Sequence, residues 1–511
     1  MGACHSIDVS DGYLERILRA PVYDVARETP LDSAPRLSAS LGNTVLIKRE
    51  DLQPVFSFKL RGAYSKMCAL ADDERARGVI AASAGNHAQG VALSAQRLGV
   101  DARIVMPRTT PTIKVEAVRA LGAEAILVGD GYDEAYAYAR ELSAQHGYTF
   151  IHAYDDPDVI AGQGTVAMEI FRQRRGTIDC IFVPVGGGGL VAGIGTYARH
   201  VQPTTRIIGV EPNDAACLSA ACEAGHPVAL DHVGLFADGV AVRQIGDETF
   251  RLAKDCVDEV VVVDTDEICA AIKDLFEDTR SIAEPAGALG VAGMKRYVAD
   301  HGCQGQTLVA IESGANMNFD RLRHVAERAD FGERREALLG VVIPERRGSF
   351  LEFCNALGDL SVTEFNYRYG GGEGAHIFVG VGLGGGVGEA AAIQQRLRDA
   401  GFEVVDMTGN EAAKLHVRYM VGGRAEADDE RLVRFEFPER PGALLRFLTA
   451  MGDRWNISLF HYRNHGAAFG RVLAGIQVPH AEGDAFLRFL EEIGYPAVEE
   501  TDNPAYDLFL R

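Results

Sequence analysis

Residues 78–99 read "GVIAASAGNHAQGVALSAQRLG". The first seven, Gly78–Ala84, form a short apolar run the length of a buried strand, and "NHAQGVALSAQRLG" after them reads as a helix. The same alternation continues around them. "ARIVMP" predicts a strand, and "TIKVEAVRALG" predicts a helix closed by Gly122. "AEAILVG", "YDEAYAYARELSAQHG" and "TFIHAY" predict strand, helix and strand, and "CIFVPV" and "TRIIGVE" repeat the theme. Alternation sustained over the first 320 residues predicts a parallel α/β architecture, with ligands at the carboxyl ends of strands.

Near Arg323 the texture changes. "HVAERADFGERREALL" reads as a charged, helical connector. Beyond it the chain repeats itself. "IPERRGSFLEFCNALGDLSVTEFNYRY" begins at Ile343 and "FPERPGALLRFLTAMGDRWNISLFHYRN" at Phe437. Pro344, Glu345, Arg346, Gly348, Gly358 and Asp359 recur as Pro438, Glu439, Arg440, Gly442, Gly452 and Asp453, and Tyr367-Arg368 recurs as Tyr462-Arg463. Each copy reads strand, turn, amphipathic helix, strand, so two copies of one small α+β module follow the α/β region. The expected division is 1–325, 331–415 and 425–511, with "VGGRAEADDE" between the modules.

The chain has 511 residues, 47% hydrophobic and 24% charged, as an ordinary globular protein does. Its net charge of −21 argues against nucleic acid and anionic membrane as partners, since both call for a basic surface. The nine cysteines form no Cys-x-x-Cys pair and are odd in number, which indicates neither a disulfide framework nor a zinc site and fits a reducing cytoplasm. The longest uncharged run, Cys180–Ala198, carries six glycines and Pro184, so it reads as a turn and not as a membrane span.

Four segments carry chemistry. In "SFKLRGA", Lys59 follows Phe58; an amine partly desolvated there is neutral and nucleophilic enough to form a Schiff base with a carbonyl, although a lone lysine is ordinarily a solvated charge. In "SAGNHAQG", Ser83 and Asn86 suit helix capping, while the free N–H groups of the same helix start suit a carboxylate. His87 beside them is a catalytic candidate or a packed histidine. In "VPVGGGGLVAG", four glycines open a helix after a strand, and backbone without Cβ atoms can wrap a phosphate. A dinucleotide reading competes there: Gly187-x-Gly189-x-x-Ala192 matches its fingerprint, and Glu211 stands where a ribose would want an acid. In "ESGANMNF", Ser313 ends a strand and offers a hydroxyl. A lysine, a phosphate cup, a carboxylate loop and a strand-end hydroxyl together suit pyridoxal phosphate, whereas NAD leaves Lys59 unexplained.

The chain resembles the biosynthetic threonine deaminases (threonine ammonia-lyases) over nearly its whole length. The residues that carry the resemblance are "KREDLQPVFSFKLRGAY", "SAGNHAQG", "VPVGGGGL", "LFADGVAV", "LFEDTRSIAEPAGALG", "SGANMNF" and "SLFHYRNHG". The first region alone also resembles serine dehydratases and serine racemase; the two tail modules, similar to ACT-like regulatory domains, favour the long biosynthetic form. The resemblance implies a fold-type II pyridoxal phosphate enzyme of two parallel-sheet lobes followed by two ACT-like domains. It implies that Lys59 holds the cofactor and serves as the α-proton base, and that Phe58 lies along the ring. Asn86 would bond the ring's 3-hydroxyl, Gly186, Gly187, Gly188, Gly189 and Leu190 would cradle the phosphate, and Ser313 would face the ring nitrogen. Ser83, Ala84, Gly85, Asn86 and His87 would receive the substrate carboxylate. The implied substrate is L-threonine, with L-serine as a second candidate, and the implied products are 2-oxobutanoate and ammonia. Isoleucine as inhibitor, valine as its opponent, Tyr367 and Tyr462 as equivalent aromatic positions of the effector pockets, and a cytoplasmic homotetramer complete the expectation. An NAD-dependent dehydrogenase, a catabolic serine/threonine dehydratase and a non-catalytic amino-acid sensor are the alternatives; intact Lys59, Asn86 and Ser313 argue against the last.

Overall fold

The computed structural model describes residues 12–129, 131–319, 321–333, 335–358, 360–368, 374–384, 388–410, 413–414, 417–419, 425, 427–438, 443–463, 469–503 and 510. Of the repeated motif, Asp359, Glu439, Arg440 and Gly442 lie outside the described residues. The chain divides into two compact units, Met1–Gly332 and Glu333–Arg511.

The first unit is built on two sheets. The chain lays down β1 (Leu31–Ser33) antiparallel to β2 (Thr44–Arg49) and then leaves to make a separate lobe. That lobe holds β3 (Val79–Ala82), β4 (Ala102–Met106), β5 (Glu124–Leu127) and β6 (Thr149–Phe150) in the order β5-β4-β3-β6, all parallel. The chain then returns for β7 (Cys180–Pro184), β8 (Arg206–Pro212), β9 (Glu259–Val263) and β10 (Thr307–Glu312). The larger sheet runs β1-β2-β10-β7-β8-β9, and β1 is its one antiparallel member. β7 is apolar along its whole length because both of its faces are buried. The alternating pattern predicted the parallel strands, and the resemblance implied their division into two lobes.

Two segments depart from their sequence reading. "TFIHAY" pairs as a strand at Thr149–Phe150 only. Beyond it the Nδ1 atom of His152 accepts the N–H groups of Tyr154 (3.3 Å) and Asp155 (2.8 Å), a local turn that outcompetes the ladder. The connector is helical over Arg321–Gly332, but Glu336 already begins the next strand, where it pairs with Gly382.

The helix Lys59–Cys68 is held in the first unit by a close crossing and a buried ion cluster. A Cβ on Gly62 would meet the carbonyl oxygen of Val159 at 2.7 Å, so only glycine lets this helix approach the helix Pro157–Gln173 so closely. From the adjacent position the Arg61 guanidinium donates to Glu50 (2.7 and 2.8 Å) and Glu169 (2.7 and 3.1 Å), and Lys48 pairs with Glu169 at 2.7 Å. All four side chains are buried, and two cations against two carboxylates leave the cluster neutral. That balance is what makes it tolerable away from water.

The second unit is one antiparallel sheet of eight strands: β11 (Glu336–Pro344), β12 (Val362–Arg368), β13 (Gly374–Gly382), β14 (Glu403–Asp406), β15 (Glu430–Pro438), β16 (Asn456–Arg463), β17 (Phe469–Gln477) and β18 (Ala497–Glu499). Their order is β14-β11-β13-β12-β16-β17-β15-β18. Its two halves are the two sequence repeats, each in β-α-β-β-α-β order, as the duplicated motif requires. They join where β12 pairs with β16, Phe365 opposite Tyr462 and Tyr367 opposite Phe460. Phe353, Phe365, Phe435, Phe447, Phe460, Phe486 and Phe489 fill a core continuous across both repeats.

Candidate active site

The four chemical segments meet at the carboxyl ends of strands in the first unit. β3 runs into Ser83–Gly85 and the helix Asn86–Leu98; β7 runs into the glycine turn and the helix Gly189–Val201; β10 ends beside Ser313. Lys59 is brought there by a short bridge. Ser57 pairs with Gly314, and the Phe58 N–H donates to the Ser313 carbonyl at 3.3 Å. Phe58 and Ser313 are both buried.

Lys59 keeps part of its surface open to the cleft, and its Nζ donates to the Ala153 carbonyl at 3.3 Å. Desolvation draws its amine down to about 8, with the charge of Glu284 working the other way. The amine therefore loses its proton far more readily than a surface lysine does. The next residue after Ala153, Tyr154, lies against the glycine turn: its Cα and Cβ would stand 3.2 Å from a Cβ on Gly189, and a Cβ on Gly187 would fall within its ring. Gly188 has φ +91° and forms the helix start. The Thr249 hydroxyl fixes the turn from behind by donating to the Gly187 carbonyl at 2.7 Å. Leu190 is buried in the first turn of the helix.

The loop Ser83–Asn86 is partly exposed, as a ligand-facing loop must be. Neither of its suggested caps acts as one. The capping position falls on Gly85, and no side chain closes it. Ser83 Oγ instead accepts the Gly85 N–H at 3.2 Å, and the Asn86 amide turns to Glu284. The His87 ring is buried, bonded through Nε2 to the Ile151 carbonyl at 2.9 Å, and held neutral by desolvation, which draws it down to about 3. Its imidazole is thus a packing group, and only its backbone remains to serve a ligand.

Sequence reasoning missed Glu284, Asn316 and Tyr154. Glu284 Oε1 accepts from Asn86 Nδ2 at 2.5 Å, and Asn316 Nδ2 donates to Asn86 Oδ1 at 2.8 Å. Burial and the nearby Asp238 charge raise the Glu284 carboxyl to about 7. Glu284 lies within the stretch "LFEDTRSIAEPAGALG", but an acid just before the helix-opening Pro285 reads as an ordinary helix-start residue and so marked no role of its own. The competing dinucleotide reading fails on Glu211. That side chain is buried, and its two oxygens accept the N–H groups of Leu218 (2.7 Å) and Ser219 (2.9 Å), closing the start of the helix Cys217–Ala224. It has no oxygen turned toward a ribose.

A desolvated amine for an aldehyde, a turn without side chains for a phosphate and a buried strand-end hydroxyl fit pyridoxal phosphate, and two parallel lobes around them define a fold-type II enzyme of that cofactor. Residues 22–314 match the family described as pyridoxal-phosphate dependent enzyme, and residues 327–417 and 421–510 match the C-terminal regulatory domain of threonine dehydratase. The chain belongs to the biosynthetic threonine dehydratase family. It is 58% identical to the biosynthetic L-threonine dehydratase IlvA of Burkholderia multivorans, over 98% of this chain and 99% of that protein. It is 57% identical to the enzyme of the same name from Escherichia coli, over 98% and 97%. Among solved structures it is similar to the processed form of threonine deaminase isoform 2 from Solanum lycopersicum, with 51% identity and a TM-score of 0.61 over 62% of this chain and 92% of that one. Maize serine racemase follows at 32% identity and a TM-score of 0.58, over 61% and 96%.

Proposed function

We propose that this chain converts L-threonine to 2-oxobutanoate and ammonia, the first committed step of isoleucine synthesis, under inhibition by isoleucine that valine opposes. The observation that carries the reading is the placing of the Lys59 amine at the strand ends, bonded to the Ala153 carbonyl beside the Tyr154 that packs on a glycine turn suited to a phosphate. Residues 1–325 form the catalytic domain, and 331–415 and 425–511 the regulatory ones. The enzyme works as a homotetramer in the cytoplasm; no helix among the described residues is long and apolar enough to cross a membrane.

Lys59 would anchor the cofactor aldehyde, Gly186 to Leu190 would take its phosphate on backbone N–H groups, Asn86 would meet the ring 3-oxygen, Phe58 would flank the ring and Ser313 would face its nitrogen. When bound, the cofactor supplies a sink for negative charge at the substrate α-carbon. The loop from Ser83 to His87 orients the substrate by its carboxylate. Lys59 would take the substrate α-proton at its Nζ, and its lowered basicity suits that task near neutral pH. Ser313 offers a hydroxyl and no charge, so it does not hold a proton on the ring nitrogen, and this favours loss of the β-hydroxyl over transamination.

The regulatory reading is supported by a cavity inside the second unit. The turn Pro344–Arg346, the helix start Gly348–Leu351 and Tyr367 of the first repeat line it together with Leu448, Met451, Trp455, Asn456 and Ile457 of the second. Ser349 Oγ is buried there without a hydrogen-bond partner, and the Tyr367 hydroxyl bonds Glu345 at 3.3 Å. A helix start with a free hydroxyl suits a carboxylate, Glu345 suits an ammonium, and the apolar wall suits a branched side chain. Tyr462, the equivalent residue of the second repeat, is buried and does not line this cavity. Keto-acid release from threonine, with and without isoleucine, tests the whole reading. Wild type should release it and Lys59→Ala should not. Release by Lys59→Ala at the wild-type rate would end the proposal.

A further inference from the structure

Asn86 is held from both ends of its amide. Its Nδ2 donates one hydrogen to Glu284 at 2.5 Å, and its Oδ1 accepts from Asn316 Nδ2 at 2.8 Å. Asn316 is itself fixed, since its Nδ2 also donates to the Val55 carbonyl at 2.8 Å. A flipped Asn86 amide would set its NH₂ against the NH₂ of Asn316, and its oxygen against Glu284 whenever that group is ionised, in place of two attractive contacts. Glu284 cannot move to relieve this. It is buried, its own N–H donates to the Gly314 carbonyl at 3.0 Å, and a Cβ on Gly314 would stand 2.8 Å from its Oε1. The charged groups around it are Lys59, Asp238 and Lys114; Asp238 is paired with Lys114 at 2.7 Å and with Arg321 at 3.3 Å.

We propose that Glu284 is a positioning residue, which together with Asn316 locks the Asn86 amide so that its second Nδ2 hydrogen is the donor offered to the cofactor ring. This rests on the reading of Asn86 as the contact of the ring 3-oxygen, and it adds the direction of that bond: the ring oxygen must accept. Glu284 touches neither cofactor nor substrate in this role; it acts through Asn86.

A double-mutant cycle on cofactor affinity, read by absorbance titration of the full-length chain with pyridoxal phosphate, tests it. Asn86→Ala and Glu284→Ala should each weaken binding by roughly five- to tenfold, the worth of one hydrogen bond. The double variant should be no weaker than the worse single one, because Glu284 has nothing left to position. Glu284→Gln, whose Oε1 can still accept from Asn86, should stay within about twofold of wild type. Multiplied losses in the double variant, or an unchanged affinity in Glu284→Ala, would overturn the proposal. Should Glu284→Ala not fold, the same cycle with Asn316→Ala applies, with the same two outcomes. If wild type binds and Asn86→Ala binds equally well, the ring contact assigned to Asn86 is wrong and the proposal falls with it. Unchanged affinity in Glu284→Ala beside a weakened Asn86→Ala refutes the positioning role alone.

Discussion

Gly188→Ala tests the glycine turn more sharply than any other single change. Gly188 has φ +91°, which an L-residue adopts at a cost of roughly 1–2 kcal/mol. Its added Cβ would stand 2.9 Å from Ile245 Cδ1 and 3.0 Å from Thr249 Cβ. Neither neighbour can give way freely: Ile245 and Thr249 are both buried, and the Thr249 hydroxyl bonds the Gly187 carbonyl at 2.7 Å. Overpacking of this kind costs about 1–3 kcal/mol. The two costs sum to roughly 2–5 kcal/mol if the turn keeps its shape. If it relaxes instead, the N–H groups proposed to take the phosphate swing away. Each bond to a charged group is worth about 1.5–3 kcal/mol, so losing one weakens cofactor binding about 10- to 150-fold. Thermal melts with and without pyridoxal phosphate, together with an absorbance titration, separate the two responses. Gly85→Ala is the control, because a Cβ there meets nothing within 4 Å. It should keep the fold and the cofactor and raise the threonine KM. A Gly188→Ala protein with wild-type melting and a cofactor Kd within twofold of wild type would refute the cradle. Reduced melting with an unchanged Kd would leave the turn structural and the phosphate elsewhere.

Other consequences follow from the same geometry. Arg61→Met leaves Glu50 and Glu169 buried with Lys48 alone to balance them, so denaturant unfolding should show a loss of about 3–5 kcal/mol, and a loss under 1 kcal/mol would mean that the cluster is hydrated. Ser313→Ala should retain the cofactor and slow turnover only about two- to tenfold, the worth of a neutral hydrogen bond; Ser313→Asp should raise transamination relative to elimination, and an unchanged ratio would remove Ser313 from the ring nitrogen. Tyr367→Ala should raise the isoleucine concentration needed for inhibition without lowering the basal rate. A chain truncated after Gly332, which retains the helix whose Val325 and Ala329 are buried in the catalytic core, should deaminate threonine and ignore isoleucine; sensitivity at the original concentrations would move the effector site into the catalytic unit.

What the sequence disclosed and what it withheld divide along physical lines. β7 and β10 were legible because both faces of a central parallel strand are buried, and this leaves a continuous apolar run. The duplication was legible because each repeat retains its Pro-Glu-Arg and Tyr-Arg landmarks in the same order, with one residue inserted between them in the second copy. The joining of β12 to β16 into one sheet was not, since an edge strand's partner is chosen by exposed backbone groups and not by its side-chain pattern. Within the site, Lys59 and the glycine turn stood out because each is an odd choice for its place, a lysine directly after Phe58 and four glycines at a helix start. Glu284 did not stand out. An acid ahead of Pro285 has an ordinary explanation in the helix dipole, and that explanation assumes exposure. Folding removes the assumption. Parallel β10 brings Gly314 and Asn316 over Glu284, β3 delivers Asn86 from the other lobe, and a residue that would be a surface cap in isolation becomes a carboxylate without water. The meaning of such a residue lies in what the two lobes exclude from it. It becomes readable only when the ends of β3 and β10, over two hundred residues apart in sequence and in separate sheets, are brought to one place.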